Sequence, residues 1–137
     1  MADNIQKLYE IAGVEKVPNG YCGYDYGISC PYDHEDCYTT CPYWIKEDPE
    51  YPPFTAEKQL ELIKWLVKRC IYFEILEMND KSYGLEFKYV IKDEYNKKGR
   101  YACVINKDFT CALAESVITM WKDLTEEERK QVKEILQ

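Results

Sequence analysis

The sequence predicts an α+β fold, a small three-stranded antiparallel sheet with helices packed on it, plus an N-terminal Cys-rich, zinc-stapled module. Two observations carry that reading. From Thr55 onward the apolar residues recur at helical spacing, then alternate, then return to helical spacing. Before Thr55 no period is sustained, while residues 21 to 44 gather four of the seven cysteines, the single histidine and six of the thirteen tyrosines. The chain thus divides into a helix at 1–16, a Cys/Tyr-rich acidic module at 17–54 and an α-β-β-β-α-α domain at 55–137.

Asp3 is placed to cap a first helix whose apolar residues Ile5, Leu8 and Ala12 share one face, with Gly13 as its stop. Such a short helix must dock to be stable. From Val17 to Phe54 nine prolines and glycines punctuate the chain, and the segment reads as a long loop that needs a staple. Thr55 then caps "TAEKQLELIKWLVKRC", in which Ala56, Leu60, Ile63, Val67 and Cys70 form the expected buried stripe, widened by Leu62 and Leu66. Three strand-like runs follow at 71–78, 83–91 and 100–106. The second alternates Leu85, Phe87, Tyr89 and Ile91 against Glu86 and Lys88, so one side is buried and the other wet. The turn signals "NDKS" and "NKKG" join the three as a meander. Helical spacing resumes with Phe109, Leu113, Val117, Met120 and Leu124, and Thr125 with Glu128 makes a capping box for a last helix.

This element order, with "TAEKQLELIKWL" before the three strands and "DFTCALAESVI" after them, resembles the phage ABA sandwich domain over roughly the 83 residues from Thr55 to Gln137. The resemblance implies a fold and a phage origin, and no chemistry.

The 46% hydrophobic and 31% charged content is that of a soluble globular protein rather than a disordered one. "MADNIQKLYE" lacks the basic flank and apolar run of a secretory signal, so a cytoplasmic location is expected, in the host cell if the protein is phage-encoded. Thiols there stay free or bind metal. The net charge of −7 is uneven: residues 1–54 hold ten acids against Lys7, Lys16 and Lys46, while the rest carries fifteen charges of each sign. An acidic module repels nucleic acid and anionic membranes and favours a basic protein partner.

Cys22, Cys30, Cys37 and Cys41 are spaced C-x7-C-x6-C-x3-C, and the last pair has a separation that lets two thiolates bind one tetrahedral ion. The turns "YCGY", "SCPY" and "TCPY" bend the chain so that backbone N–H groups reach the sulfurs. The reading is a structural Zn²⁺ held by these four cysteines, with His34 as an alternative ligand. Disulfides and free thiols are the competing readings. Four thiolates leave no open position for water, so the metal's binding energy would serve folding. Cys70, Cys103 and Cys111 read instead as small core hydrophobes within apolar elements.

Catalytic signatures are sparse. Phosphate-binding, dinucleotide, zinc-protease and nucleophile-elbow motifs do not occur, and "HEDC" lacks the P-C-x-x-C of zinc deaminases. A Cys37/His34 nucleophile pair is the remaining enzymatic reading. The aromatics favour recognition: Tyr24, Tyr26, Tyr32, Tyr38, Tyr43 and Trp44, with the carboxylates Asp33, Glu35 and Asp36, form the expected partner-binding surface. A short acidic phage-type chain with an N-terminal four-cysteine cluster is similar to phage-encoded anti-CRISPR proteins, in particular a zinc-containing type II-A inhibitor. That resemblance implies no enzymatic activity, direct binding to the effector nuclease and interference with target-DNA loading. A zinc-stabilised adaptor for another protein shares every feature. A nucleic-acid-binding zinc module is disfavoured, because residues 17–54 carry seven acids against Lys46 alone.

Overall fold

A computed structural model of the chain describes residues 3–22, 44–92 and 97–137. Among them are four α-helices and five strands, grouped in two compact units: residues 1–14 with 53–137, and residues 15–52.

In the first unit, helix α1 spans Asp3–Ala12 and buries Leu8, Tyr9 and Ala12. Asp3 stands in its first turn, where a carboxylate faces the positive end of the helix. Gly13 ends it at φ +73°, with Gly13 N donating to the Glu10 carbonyl at 3.2 Å and Val14 N to the Tyr9 carbonyl at 3.0 Å. This is a Schellman motif, and buried Val14 supplies the apolar contact that accompanies it. The docking that so short a helix needs is made on the third helix, where Asn4 donates to Glu115.

Helix α2, Ala56–Arg69, begins where the sequence places it, with Thr55 Oγ1 accepting from Lys58 N at 3.3 Å. Its buried face differs from the expected one. Leu62, Leu66 and Cys70 are buried, whereas Leu60 and Val67 are 52% and 55% exposed and Ala56 is exposed. Both apolar rows have helical spacing, so periodicity alone does not choose between them. With the 62/66 row inward, Lys58 Nζ donates to the Leu136 carbonyl and Trp65 Nε1 to Gln131.

The meander is β3 Tyr72–Glu77, β4 Tyr83–Lys92 and β5 Lys97–Asn106, in spatial order β3-β4-β5 and antiparallel throughout. Leu85, Phe87 and Tyr89 point to the helices and are buried, as the alternation predicts. Phe87 stacks between Phe73 and Tyr89 at centroid distances of 6.2 and 6.0 Å. Cys70 and Cys111 are core residues, but Cys103 is exposed, against the expectation from its apolar neighbours. Its register partner is Glu86, on the opposite parity from the buried row, and Val104 takes the inward position instead.

Helix α3, Phe109–Met120, is capped by Asp108, whose Oδ1 accepts from Thr110 N at 2.8 Å and Cys111 N at 3.3 Å. It lies at the centre of this unit and buries residues on almost every side, the small Ala112, Ala114 and Ser116 allowing close approach of its neighbours. A 3₁₀ turn, Trp121–Asp123, leads into α4, Glu126–Leu136, whose Thr125–Glu128 capping box is present in both directions.

Among the described residues, the core contains one buried ion pair. Arg69, at the end of α2, meets Glu128 of α4 with both side chains under a tenth exposed. Arg69 also donates Nη2 to the Val90 carbonyl at 2.7 Å and lies 5.8 Å over the Tyr89 ring. Tyr89 in turn donates its hydroxyl to Asp123 at 2.7 Å. Glu128 Oε1 accepts from Thr125 N at 3.0 Å, so one carboxylate serves both the cap and the ion pair.

The second unit contains an antiparallel ribbon of β1 Val17–Cys22 and β2 Trp44–Glu50, where the sequence shows no strand period. All of β2 whose exposure is described is exposed, so no buried side imposes alternation. The register shifts between Val17 and Asn19, near Pro18 and Pro49, residues that lack the ladder N–H. Lys16 Nζ lies 5.2 Å over the Tyr51 ring.

Glu128→Gln keeps the capping geometry but removes the charge, leaving Arg69 buried without its counter-ion. Urea unfolding is expected to show a loss of about 3–5 kcal/mol, against about 1 kcal/mol for Thr125→Ala. Equal losses would reduce Glu128 to a capping residue.

Burial pushes the Tyr9 hydroxyl up to about 12, and burial, then the hydrogen bond to Asp123 and its charge, push Tyr89 up to about 12, from an ordinary 10.0. Between these values the unfolded chain releases protons that the folded chain retains. The contribution is therefore complete below pH 10 and lost as pH rises towards 12. Unfolding free energies measured across that window should fall less steeply for Tyr89→Phe than for the parent; parallel slopes would refute the assignment.

Candidate protein-docking surface

The helices cover one side of the three-stranded sheet, and the other side is formed by three cross-strand rows. Tyr72, Lys88 and Tyr101 make the first, Glu74, Glu86 and Cys103 the second, and Leu76, Gly84 and Ile105 the third. The parity that buries Leu85, Phe87 and Tyr89 against the helices puts these nine residues outward. Four of them are large and apolar or aromatic yet open to solvent: Tyr72 38%, Leu76 40%, Tyr101 58% and Ile105 55% exposed. Only Gly84 is buried in this layer, beneath Leu76 and Met78; a Cβ there would meet Met78 Sδ at 3.6 Å.

The charges lie in the middle. Glu74 and Glu86 occupy directly paired positions, an arrangement that costs stability when both are ionised. Among the described residues neither has an ion-pair partner. Lys88 runs towards the end of the sheet, and its Cε lies across Gly99, 3.0 Å from where a Cβ would be. Arg100 is directed to Asp123 at 3.7 Å. Desolvation and then the Glu86 and Glu74 carboxylates raise the Tyr72 hydroxyl above its usual range. Desolvation, then a hydrogen bond to Glu86 and its charge, do the same for Tyr101. Both rings thus present neutral hydroxyls beside two carboxylates. Such a surface offers rigid aromatic area, apolar flanks and a central negative charge that a cation from another molecule would relieve.

Most of the residues expected to form a site are not among the described ones. Cys30, His34, Cys37 and Cys41, together with Tyr24, Tyr26, Tyr32, Asp33, Glu35, Asp36, Tyr38 and Tyr43, are outside the described residues. Cys22 and Trp44 are described in their backbone only, as the register partners that end β1 and begin β2. Among the described residues no three His, Cys, Asp or Glu side chains converge on a metal position, and no helix is long and apolar enough to cross a membrane.

The sheet surface escaped the sequence reading, although a signal for it existed. "IYFEILEM" and "RYACVIN" carry apolar residues at both parities, whereas a strand wet on one side alternates cleanly. Comparison with protein-family models, curated proteins and solved structures finds no significant match.

Iodoacetamide at neutral pH is expected to label Cys103 in the folded chain while sparing Cys70 and Cys111. Burial raises the Cys70 thiol to about 11 and also raises Cys111. Peptide mapping reads the sites, and labelling of Cys70 or Cys111 at the rate of Cys103 would contradict the placement.

Proposed function

We propose that the chain is a non-enzymatic inhibitor that binds a basic nucleic-acid-handling protein, the type II-A CRISPR effector nuclease of the resemblance, and hinders its loading onto target DNA. The observation that carries the reading is the uncovered sheet surface, where Tyr72, Leu76, Tyr101 and Ile105 surround the unneutralised Glu74–Glu86 pair. Aromatic and aliphatic anchors around a negative centre suit a protein surface that bears Lys or Arg. The ribbon adds exposed Glu15, Glu47, Asp48 and Glu50, extending acidic character to the second unit. Carboxylates there would speed encounter with a positively charged groove and repel nucleic acid itself.

A structural Zn²⁺ on Cys22, Cys30, Cys37 and Cys41, with His34 as the alternative ligand, belongs to the same proposal. Two features fit it. No described residue between Glu15 and Pro52 is buried, so the ribbon has no apolar core of its own there, and an isolated two-stranded ribbon is marginal in water. Cys22 pairs with Trp44 in the ribbon's register, and Cys41 lies three residues before Trp44 in the chain, so two of the four cysteines are within three residues of that register pair in sequence. When bound, the metal would supply folding energy to residues 15–52.

The test is a titration of guide-loaded effector nuclease with the metal-assayed chain, read by target-DNA mobility shift. Loading should fall at near-stoichiometric inhibitor, and Glu74→Lys with Glu86→Lys should weaken inhibition at least tenfold without lowering thermal stability. Full loading at a large excess of the chain would remove the nuclease reading. Unchanged inhibition by the double variant would move the contact away from the sheet.

A further inference from the structure

The side of α2 that faces away from the core is a second apolar surface, separate from the sheet. Leu60 and Val67 are more than half exposed, and Ile71, just past the helix, is 61% exposed. A groove of about 450 Å³ is lined by Ile63, Val67, Trp65 and Ile135 together with Glu61, Lys64 and Lys68, the charged residues lying between Val67 and Trp65 around the helix. Each buried apolar residue of this kind would contribute to an interface, whereas scattered exposed leucines need no account; here they form one row at helical spacing.

Beside that row runs a second one made only of charges. Glu57, Glu61, Lys64 and Lys68 all stand exposed on one edge of the helix, the acids towards its start and the bases towards its end. Among the described residues these charges make only the exposed Glu61–Lys64 contact at 3.4 Å, a pair that contributes little. The order matters more than the pair. Reversing the helix direction converts the sequence acid-acid-base-base into its electrostatic complement, so a two-fold axis near Leu62 and Ile63 would set Glu57 against Lys68 and Glu61 against Lys64 of the other copy. The apolar row lies on the same flank in both copies and closes over the axis, as an isologous interface requires.

We propose that α2 is a homodimerisation surface, and that its occupant is the α2 helix of a second copy of this chain in antiparallel orientation. A partner protein with an unrelated sequence has no reason to match the charge order, whereas a second copy matches it by symmetry. The inference does not depend on what the sheet surface binds.

Sedimentation equilibrium of the full chain tests it. A species of twice the 16.3 kDa chain mass is expected, weakening as salt rises. Glu57→Lys with Glu61→Lys should bring four bases together and lower the association constant at least tenfold, and Lys64→Glu with Lys68→Glu should do the same with four acids. An equimolar mixture of the two variants should recover a 1:1 dimer, and circular dichroism of each variant alone checks that the monomers are folded. A parent chain that remains monomeric at hundreds of micromolar would overturn the proposal. So would variants that dimerise as well alone as when mixed. Tyr101→Glu, on the sheet, is expected to leave the dimer intact, which separates this result from the nuclease titration.

Discussion

The Arg69–Glu128 ion pair is the constraint on which the first unit depends. It joins the end of α2 to the start of α4, and through Val90 and Tyr89 it reaches the central strand. Two ions placed in a core lose much of their hydration, and their mutual attraction offsets the loss better when further hydrogen bonds hold them. Here the guanidinium also has a backbone carbonyl and an aromatic face, and the carboxylate also has the Thr125 amide. A wrong rotation of α2 would leave both charges without partners. The pair therefore selects an orientation that apolar packing alone would leave degenerate, because α2 has two usable apolar rows.

That degeneracy sets how much could be read from the sequence. Two helix starts were legible because capping is local: Thr55 and Thr125 each accept from an amide three residues away. The central strand was legible because Leu85, Phe87 and Tyr89 alternate with Glu86 and Lys88, and its two neighbours because they are apolar runs set off by the turn signals "NDKS" and "NKKG". Which part of the expected α2 stripe is buried was not legible: it included Leu62, Leu66 and Cys70, which are buried, and Leu60 and Val67, which are exposed, and the ion pair that chooses between them is made with Glu128, far along the chain. Cys103 was misread for a related reason: its neighbours Ala102 and Val104 are apolar, but parity along a strand decides exposure, and only the register with Glu86 fixes parity. The ribbon was hidden because a strand without a buried side has no pattern to show. Of the candidate site, the cysteine and tyrosine cluster was visible as composition, whereas the sheet surface required knowing which side the helices leave open.

The same excess of apolar residues explains why the first unit has two surfaces to offer. A sheet of three strands backed by helices needs one apolar side, and a helix on its edge needs one apolar row. This chain supplies more than that on β3, β5 and α2. Exposed apolar area of this kind favours aggregation unless something covers it or charge disperses it. On the sheet the dispersal is by Glu74, Glu86 and Lys88, and on the helix by alternating blocks of acid and base. The two charge patterns differ in kind. Two adjacent carboxylates are complementary to a foreign cation, while a reversing sequence of acids and bases is complementary to itself.

The second unit follows the opposite logic. Its described residues bury no side chain, and its strands are interrupted by Pro18 and Pro49. Ordering each residue of such a ribbon costs on the order of 1–2 kcal/mol of backbone entropy, and exposed cross-strand pairs return less than that. A zinc site on the clustered cysteines, as proposed above, would offset that deficit. Thiolate–zinc bonds provide that scale of energy from few residues, without needing the apolar area that a 38-residue segment cannot enclose. A module stabilised in that way would keep its tyrosines and carboxylates available for contact, because they would not be required to form a core.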